Sequence, residues 1–189
     1  MTVGGLRERS KARRRVAIQT AAYQLFAERG FDATSIAEIA ELAEVSPRTV
    51  TLYFPTKLEL ALAHFTAQVD GLAETLQNRP EGQGILDTVE AWLRHREVTR
   101  DGFDELYNRM LHANPQLEAL CRGRLTDVIH EGARLLAEER GWDPDDLAPR
   151  MLAATVASVI SELAHRSEPG DLERAMAFIR AAAATLPSA

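Results

Sequence analysis

Residues 34–57 read Thr34-Ser35-Ile36-Ala37-Glu38-Ile39-Ala40-Glu41-Leu42-Ala43-Glu44-Val45-Ser46-Pro47-Arg48-Thr49-Val50-Thr51-Leu52-Tyr53-Phe54-Pro55-Thr56-Lys57. Ser35 followed three residues later by Glu38 is a capping box, in which each side chain satisfies an orphan amide of the other. It predicts a helix from Ile36 to about Ala43. Ser46-Pro47 is an N-cap with proline at the first helical position, where the missing N–H costs nothing. That opens a second helix, Pro47 to Phe54, which Pro55 stops. Glu44-Val45-Ser46 is left as a three-residue turn, and the whole is a helix-turn-helix. Ile36, Ile39, Ala40, Ala43, Val45, Val50 and Phe54 face inward and lock the pair. Arg48, Thr49, Thr51, Leu52 and Tyr53 stay outside.

Helices continue on both sides. A first one is expected from about Arg9 to Arg29, with Ala17, Ala21, Leu25 and the pair Ala22/Phe26 forming an apolar stripe at i, i+4 spacing. Gly30 follows as its left-handed C′ residue. Thr56 with Glu59 begins a long helix towards Leu76. Beyond the Pro/Gly-rich stretch 78–84, further helices are expected over 85–100, 104–113, 115–140, 144–166 and 171–186. Asn114-Pro115 and Asp143-Pro144 repeat the cap-then-proline signature. Neither a strand pattern nor an internal repeat appears. The expected fold class is all-α, with about nine helices.

Composition bounds the partners. The 189 residues are 46% hydrophobic and 26% charged, and no apolar run approaching the ~20 residues of a membrane span is read. The N-terminus lacks a signal-like apolar stretch, and Cys121 is the only cysteine. Disulfides and cysteine-based zinc sites are therefore excluded within the chain, and a cytoplasmic location is expected. The net charge of −6 hides an asymmetry: residues 1–57 hold nine Lys/Arg against six Asp/Glu, a local +3, so the remainder carries −9. A basic end on an acidic protein points to a polyanion or to a solvated basic tail.

The outward face of the second helix favours the polyanion. A helix of that size can lie in a DNA major groove with its N-terminal residues, here Ser46, Pro47, Arg48 and Thr49, reaching towards the bases. Arginine bonds guanine bidentately, and threonine can bond a base or touch a thymine methyl.

The stretches Gly30 to Ala40, Val45 to Thr49 and Tyr53 to Leu60 closely resemble the DNA-binding domain of the TetR family of bacterial transcriptional regulators, over about residues 9–62. The resemblance implies a basic arm and DNA-binding domain over residues 1–57. It implies a helical effector-binding and dimerisation domain over 58–189. It places Tyr53 and Lys57 at phosphate-contacting positions, Ser35 at a backbone-contacting one, and Arg48, Thr49, Thr51 and Leu52 where the family reads bases. Its implied function is a repressor released from its double-stranded operator by a small-molecule effector. Three residues depart from the family's pattern: Glu44 stands where glycine is frequent in the turn, Arg48 replaces a frequent glycine, and Thr51 a frequent aromatic. The basic segment Arg7 to Arg15, including Arg13 and Arg14, reads either as an arm on DNA or as a solubilising tail.

The C-terminal half is read physically. The helix over 144–166 carries Ala153, Ala154, Ala157, Ser158 and Ser161 beside Leu152, Val156, Val159, Ile160 and Leu163. The last helix is similarly apolar on several sides. Such helices either cover their own core or pair with their mates across a twofold axis, and the resemblance favours a homodimer through the last two helices. Trp92, Arg96, Tyr107, Met110, Leu111, Cys121 and Leu125 lie on the helices that surround the family's effector pocket, a pattern that equally describes an ordinary core. His95, His112 and His130 read as surface or hydrogen-bonded structural histidines, and neither a metal site nor a cofactor is expected. An enzyme would need a motif such as H-E-x-x-H, G-x-S-x-G or a phosphate-cradling glycine loop, none of which is found. A helical protein-binding adaptor leaves the helix-turn-helix unexplained.

Overall fold

The computed structural model describes residues 3–165 and 168–186, and all regular structure among them is helical. The helices are α1 (Val3–Arg29), α2 (Ile36–Leu42), α3 (Pro47–Tyr53), α4 (Lys57–Gln77), α5 (Ile85–Thr99), α6 (Gly102–Ala113), α7 (Pro115–Arg140), α8 (Leu147–His165) and α9 (Asp171–Ala184). The chain forms two compact units. The first comprises Met1–Ala67 with Asp101–Cys121, the second Gln68–Arg100 with Arg122–Ala189.

The first unit is built on α1. Ile18, Ala22 and Phe26 at i, i+4 spacing, flanked by Ala21, Tyr23 and Leu25, make a buried stripe. Ala17, expected on that stripe, is exposed and Ile18 takes its place. Helices α2 and α3 have seven residues each and add only Ile39, Ala40 and Val50 as fully buried side chains. That is too little apolar surface to cover α1. Leu106, Tyr107, Met110 and Leu111 of α6 complete the same core, with Leu117 and Cys121 from the start of α7. Tyr23 of α1 packs its ring on Phe103 (5.4 Å between centroids) and Tyr107 (5.2 Å). The boundary expected at residues 57/58 therefore does not follow the packing. Asp101 caps α6 through a capping box with Asp104, starting the helix two residues earlier than expected.

Two further expectations change. The segment Arg7 to Arg15 is not an arm ahead of the first helix but part of it, because α1 begins at Val3. Its arginines, lysine and alanine are good helix formers with no proline among them, and propensity outweighs the repulsion of like charges. Asp143-Pro144 does not open α8. The Asp143 carboxylate accepts the Asp145 amide (3.0 Å) in a local turn, and the helix starts at Leu147.

The second unit packs Leu72 and Leu76 of α4, Ile85, Val89 and Leu93 of α5, Leu136 of α7, Leu152 and Val156 of α8, and Met176 and Ile179 of α9 into one core. On its surface Arg180 of α9 donates to Asp87 and Glu90 of α5, each at 2.7 Å, and Arg94 donates to Glu90 and Glu173. The 18 residues Leu147–Ala164 have a mean hydropathy of 1.3 and are long and apolar enough to cross a bilayer, unlike the sequence-based expectation. Two charged residues, Arg150 and Glu162, lie within that stretch.

Candidate nucleic-acid interface

Local chemistry holds the helix-turn-helix as expected. Ser35 caps α2: its hydroxyl accepts the Glu38 amide (3.2 Å), while the Glu38 carboxylate accepts the Ser35 amide (2.8 Å) and hydroxyl (2.7 Å). Those Ser35 bonds, ahead of the Arg29 guanidinium at 3.2 Å, hold the Glu38 carboxyl below its ordinary range. Glu44 adopts a φ of +53°. The Val45 amide then reaches back to the Ala40 carbonyl (2.9 Å) and the Glu44 amide to that of Glu41 (3.1 Å), a Schellman closure made with glutamate in place of glycine.

Helix α3 presents its outer side chains unequally. The Ser46 hydroxyl caps the Thr49 amide at 3.1 Å and bonds the Thr49 hydroxyl at 2.8 Å. Thr51 donates its hydroxyl to the Arg48 carbonyl (3.1 Å), so all three of these hydroxyls make a local hydrogen bond. Arg48 is exposed and has no ion-pair partner among the described residues. Leu52 is 80% exposed. Pro47 is exposed and Tyr53 half-buried.

Lys57 is placed differently from the expectation. Its ammonium donates to the carbonyls of Phe31 (2.8 Å), Thr34 (2.9 Å) and Asp32 (3.5 Å), and sits 4.4 Å from the centre of the Phe31 ring. All three N–H bonds thus point at the α1–α2 corner. Arg13 and Arg14 are exposed on α1, as are Arg7, Arg9 and Lys11, and one turn further Arg15 lies 4.4 Å over the Phe54 ring at the end of α3. That contact sets Arg15 of α1 against the end of α3.

Two positioning residues escaped sequence reasoning. Thr34 is buried and donates to the Gly30 carbonyl at 2.9 Å, closing the α1–α2 corner. Asn114, 1% exposed, binds the same corner through its carboxamide. Its Asn-Pro context signalled only a cap for α7.

The residues expected around an effector divide between the units. Tyr107, Met110, Leu111 and Cys121 are buried in the core of the first, which they share with α1, and the Tyr107 hydroxyl lies 3.7 Å from the Cys121 sulfur. Burial, with Cys121 beside it, pushes the Tyr107 phenol far up, and burial pushes that of Tyr23 up to about 12. Trp92, Arg96 and Leu125 are half-buried in the second unit, with the Arg96 guanidinium 5.0 Å over the Trp92 ring. No cluster of metal-ligating side chains occurs among the described residues.

Residues 18–64 match the family described as bacterial regulatory proteins, tetR family. The transcriptional regulator TcmR of Streptomyces glaucescens is 30% identical over 165 residues, covering 82% of this chain and 73% of its own. The chain belongs to the TetR family. Another relative, RutR of Escherichia coli K12, is 32% identical over 142 residues, which are 73% of this chain and 66% of RutR. Among solved structures, NalD of Pseudomonas aeruginosa, the secondary repressor of the MexAB-OprM multidrug efflux pump, superposes with a TM-score of 0.67 at 20% identity, covering 90% of this chain and 97% of NalD. This TetR-family chain is a DNA-binding transcriptional regulator.

Proposed function

We propose that the regulator is a repressor that binds a near-palindromic operator as a homodimer and is released by a small-molecule effector. The observation that carries the DNA side is α3 itself: Arg48 and Leu52 stand exposed on a helix whose Ser46, Thr49 and Thr51 hydroxyls make local hydrogen bonds. Arg13 and Arg14 extend that surface with phosphate-neutralising charge. Ser35, Ser46, Pro47, Thr49, Thr51 and Tyr53 border the same surface. The repressor sense has support from NalD, which is itself a repressor.

For the effector, Trp92, Arg96 and Leu125 are the proposed contacts, an aromatic face, a cation and an aliphatic wall. An effector acts only if it prefers the DNA-incompetent arrangement, and operator DNA then weakens effector binding by the same factor. Tenfold release needs only about 1.4 kcal/mol of coupling. A cytoplasmic regulator would meet both ligands in one compartment.

Selection of bound duplexes from a random pool tests the reading directly. The expected product is a palindrome with half-site centres one or more helical turns apart, bound with a steep salt dependence. A pool that enriches no sequence would overturn it.

A further inference from the structure

Leu52 is 80% exposed on a short helix, with its side chain open to whatever α3 meets. Leu52 has no hydrogen-bonding capacity and cannot read a base edge by donor or acceptor. The one apolar feature of a base-pair edge in the major groove is the C5 methyl of thymine. Its neighbours narrow the choice further. The Ser46 and Thr49 hydroxyls bond each other, and Thr51 donates its own to the Arg48 carbonyl. Arg48 is the exposed cation of α3, and Arg48 and Leu52 are four residues apart on one helical face.

We propose that Leu52 reads a thymine methyl, and that this thymine lies within about two base pairs of a guanine held by Arg48. The spacing follows from the helix. Four residues rise about 6 Å along the axis, against a base step of about 3.4 Å. This inference rests on the operator-binding reading above and adds the identity of the base.

The test uses full-length protein and the selected operator. Each thymine of one half-site is replaced in turn by deoxyuridine, which removes only the methyl. Burying one methyl(ene) contributes about 0.8 kcal/mol, which at 1.4 kcal/mol per tenfold is roughly a four-fold change in Kd. One position should lose about four-fold for wild type and for Arg48→Ala, and nothing for Leu52→Ala. Leu52→Ala should itself bind thymine operator about as weakly as wild type binds the uracil operator. Because Leu52 is 80% exposed, the melting curve of Leu52→Ala should match wild type. If a specific operator is recovered but no thymine is methyl-sensitive, Leu52 is not a base reader, while the regulator reading stands. If Leu52→Ala keeps the full sensitivity, the methyl is read by another group, with the Thr51 methyl next in line. Failure to recover any operator would instead remove the regulator reading.

Discussion

The carboxamide oxygen of Asn114 accepts the Phe31 amide at 2.6 Å across 83 residues of sequence. Its nitrogen donates to the carbonyls of Phe26 (2.9 Å) and Met110 (2.7 Å). One buried side chain thus ties the end of α1, the loop into α2 and the end of α6 together. Asn114→Ala removes the side-chain partner of the Phe31 amide and the Met110 carbonyl, while the Phe26 carbonyl keeps the Gly30 amide (3.1 Å), and is expected to destabilise by on the order of 2 kcal/mol, read from a denaturant midpoint. Asn114→Asp keeps the acceptor for Phe31 but sets a carboxylate against two carbonyls. Burial and those carbonyls raise its folded pKa, so its deficit should shrink as pH falls and the acid form regains a donor. A pH-independent deficit would show that the two donated bonds carry no weight.

Glu44 occupies the left-handed region at φ +53°. That conformation costs an L-residue roughly 1–2 kcal/mol, while glycine there costs about 0.4–1 kcal/mol through the unfolded chain. Glu44→Gly is therefore expected to stabilise by about 0.5–1 kcal/mol, a rise in Tm of a few degrees for a chain of this length. The selected operator should remain unchanged. A lower Tm would mean that the glutamate side chain makes a compensating interaction.

Much of this architecture was legible, and the division is physical. The capping box of Ser35 and Glu38, the Ser46-Pro47 start and the Gly30 stop are local, and each appears where local chemistry put it. What lay beyond reach was non-local. Nothing near Asn114 or Lys57 in sequence announces the α1–α2 corner that both bind. Tyr107 and Met110 look alike whether they wall a cavity or fill a core, and only the third dimension assigns them to α1. The basic run at the N-terminus was misread for another reason: like charge resembles disorder, but a helix tolerates it in water.

Lys57 and the arginines of α1 should separate in their effects. With its three N–H bonds on carbonyls, Lys57 acts as a clamp, and Lys57→Ala is expected to destabilise by about 1–3 kcal/mol. Arg13→Ala and Arg14→Ala touch no packing and should leave Tm unchanged. Each should lower the slope of log affinity against log salt by about 1 without altering base preference. Were Lys57→Ala to lower that slope by a full unit with no change in Tm, the phosphate-contact role expected from the family resemblance would be restored.

Acid should weaken the cap of α2. Hydrogen bonds from Ser35 hold the folded Glu38 carboxyl below its unfolded value near 4.3. A depressed carboxylate pKa stabilises fully above the unfolded value, and that contribution is lost as pH falls through the folded one. Wild type should exceed Glu38→Ala in melting temperature at neutral pH, and the gap should narrow below about pH 4. A gap that stays constant into acid would assign the effect to helix propensity alone.

The last prediction concerns the second copy. Leu147 and Met151 of α8 are 70% and 52% exposed, and Phe178 of α9 is 60% exposed. Only 28% of the apolar stretch Leu147–Ala164 is buried within its own chain. An apolar surface of this kind marks a contact with another molecule, and the homodimer proposed above would make that molecule a second copy. Ala157, one of the small residues expected at such a surface, is 7% exposed and belongs to its own chain's core. A charge at Ala157 would therefore break the fold and test nothing. Phe178→Glu and Met151→Glu alter only exposed positions, and each is expected to yield a folded monomer in sedimentation with an unchanged helical spectrum. Their affinity for a complete operator should fall by orders of magnitude, because the two half-sites are then bound independently. Affinity for an isolated half-site should be unaffected. If both variants sediment as dimers at micromolar concentration, the α8–α9 surface is not the dimer interface, and the palindromic operator needs another source of twofold symmetry.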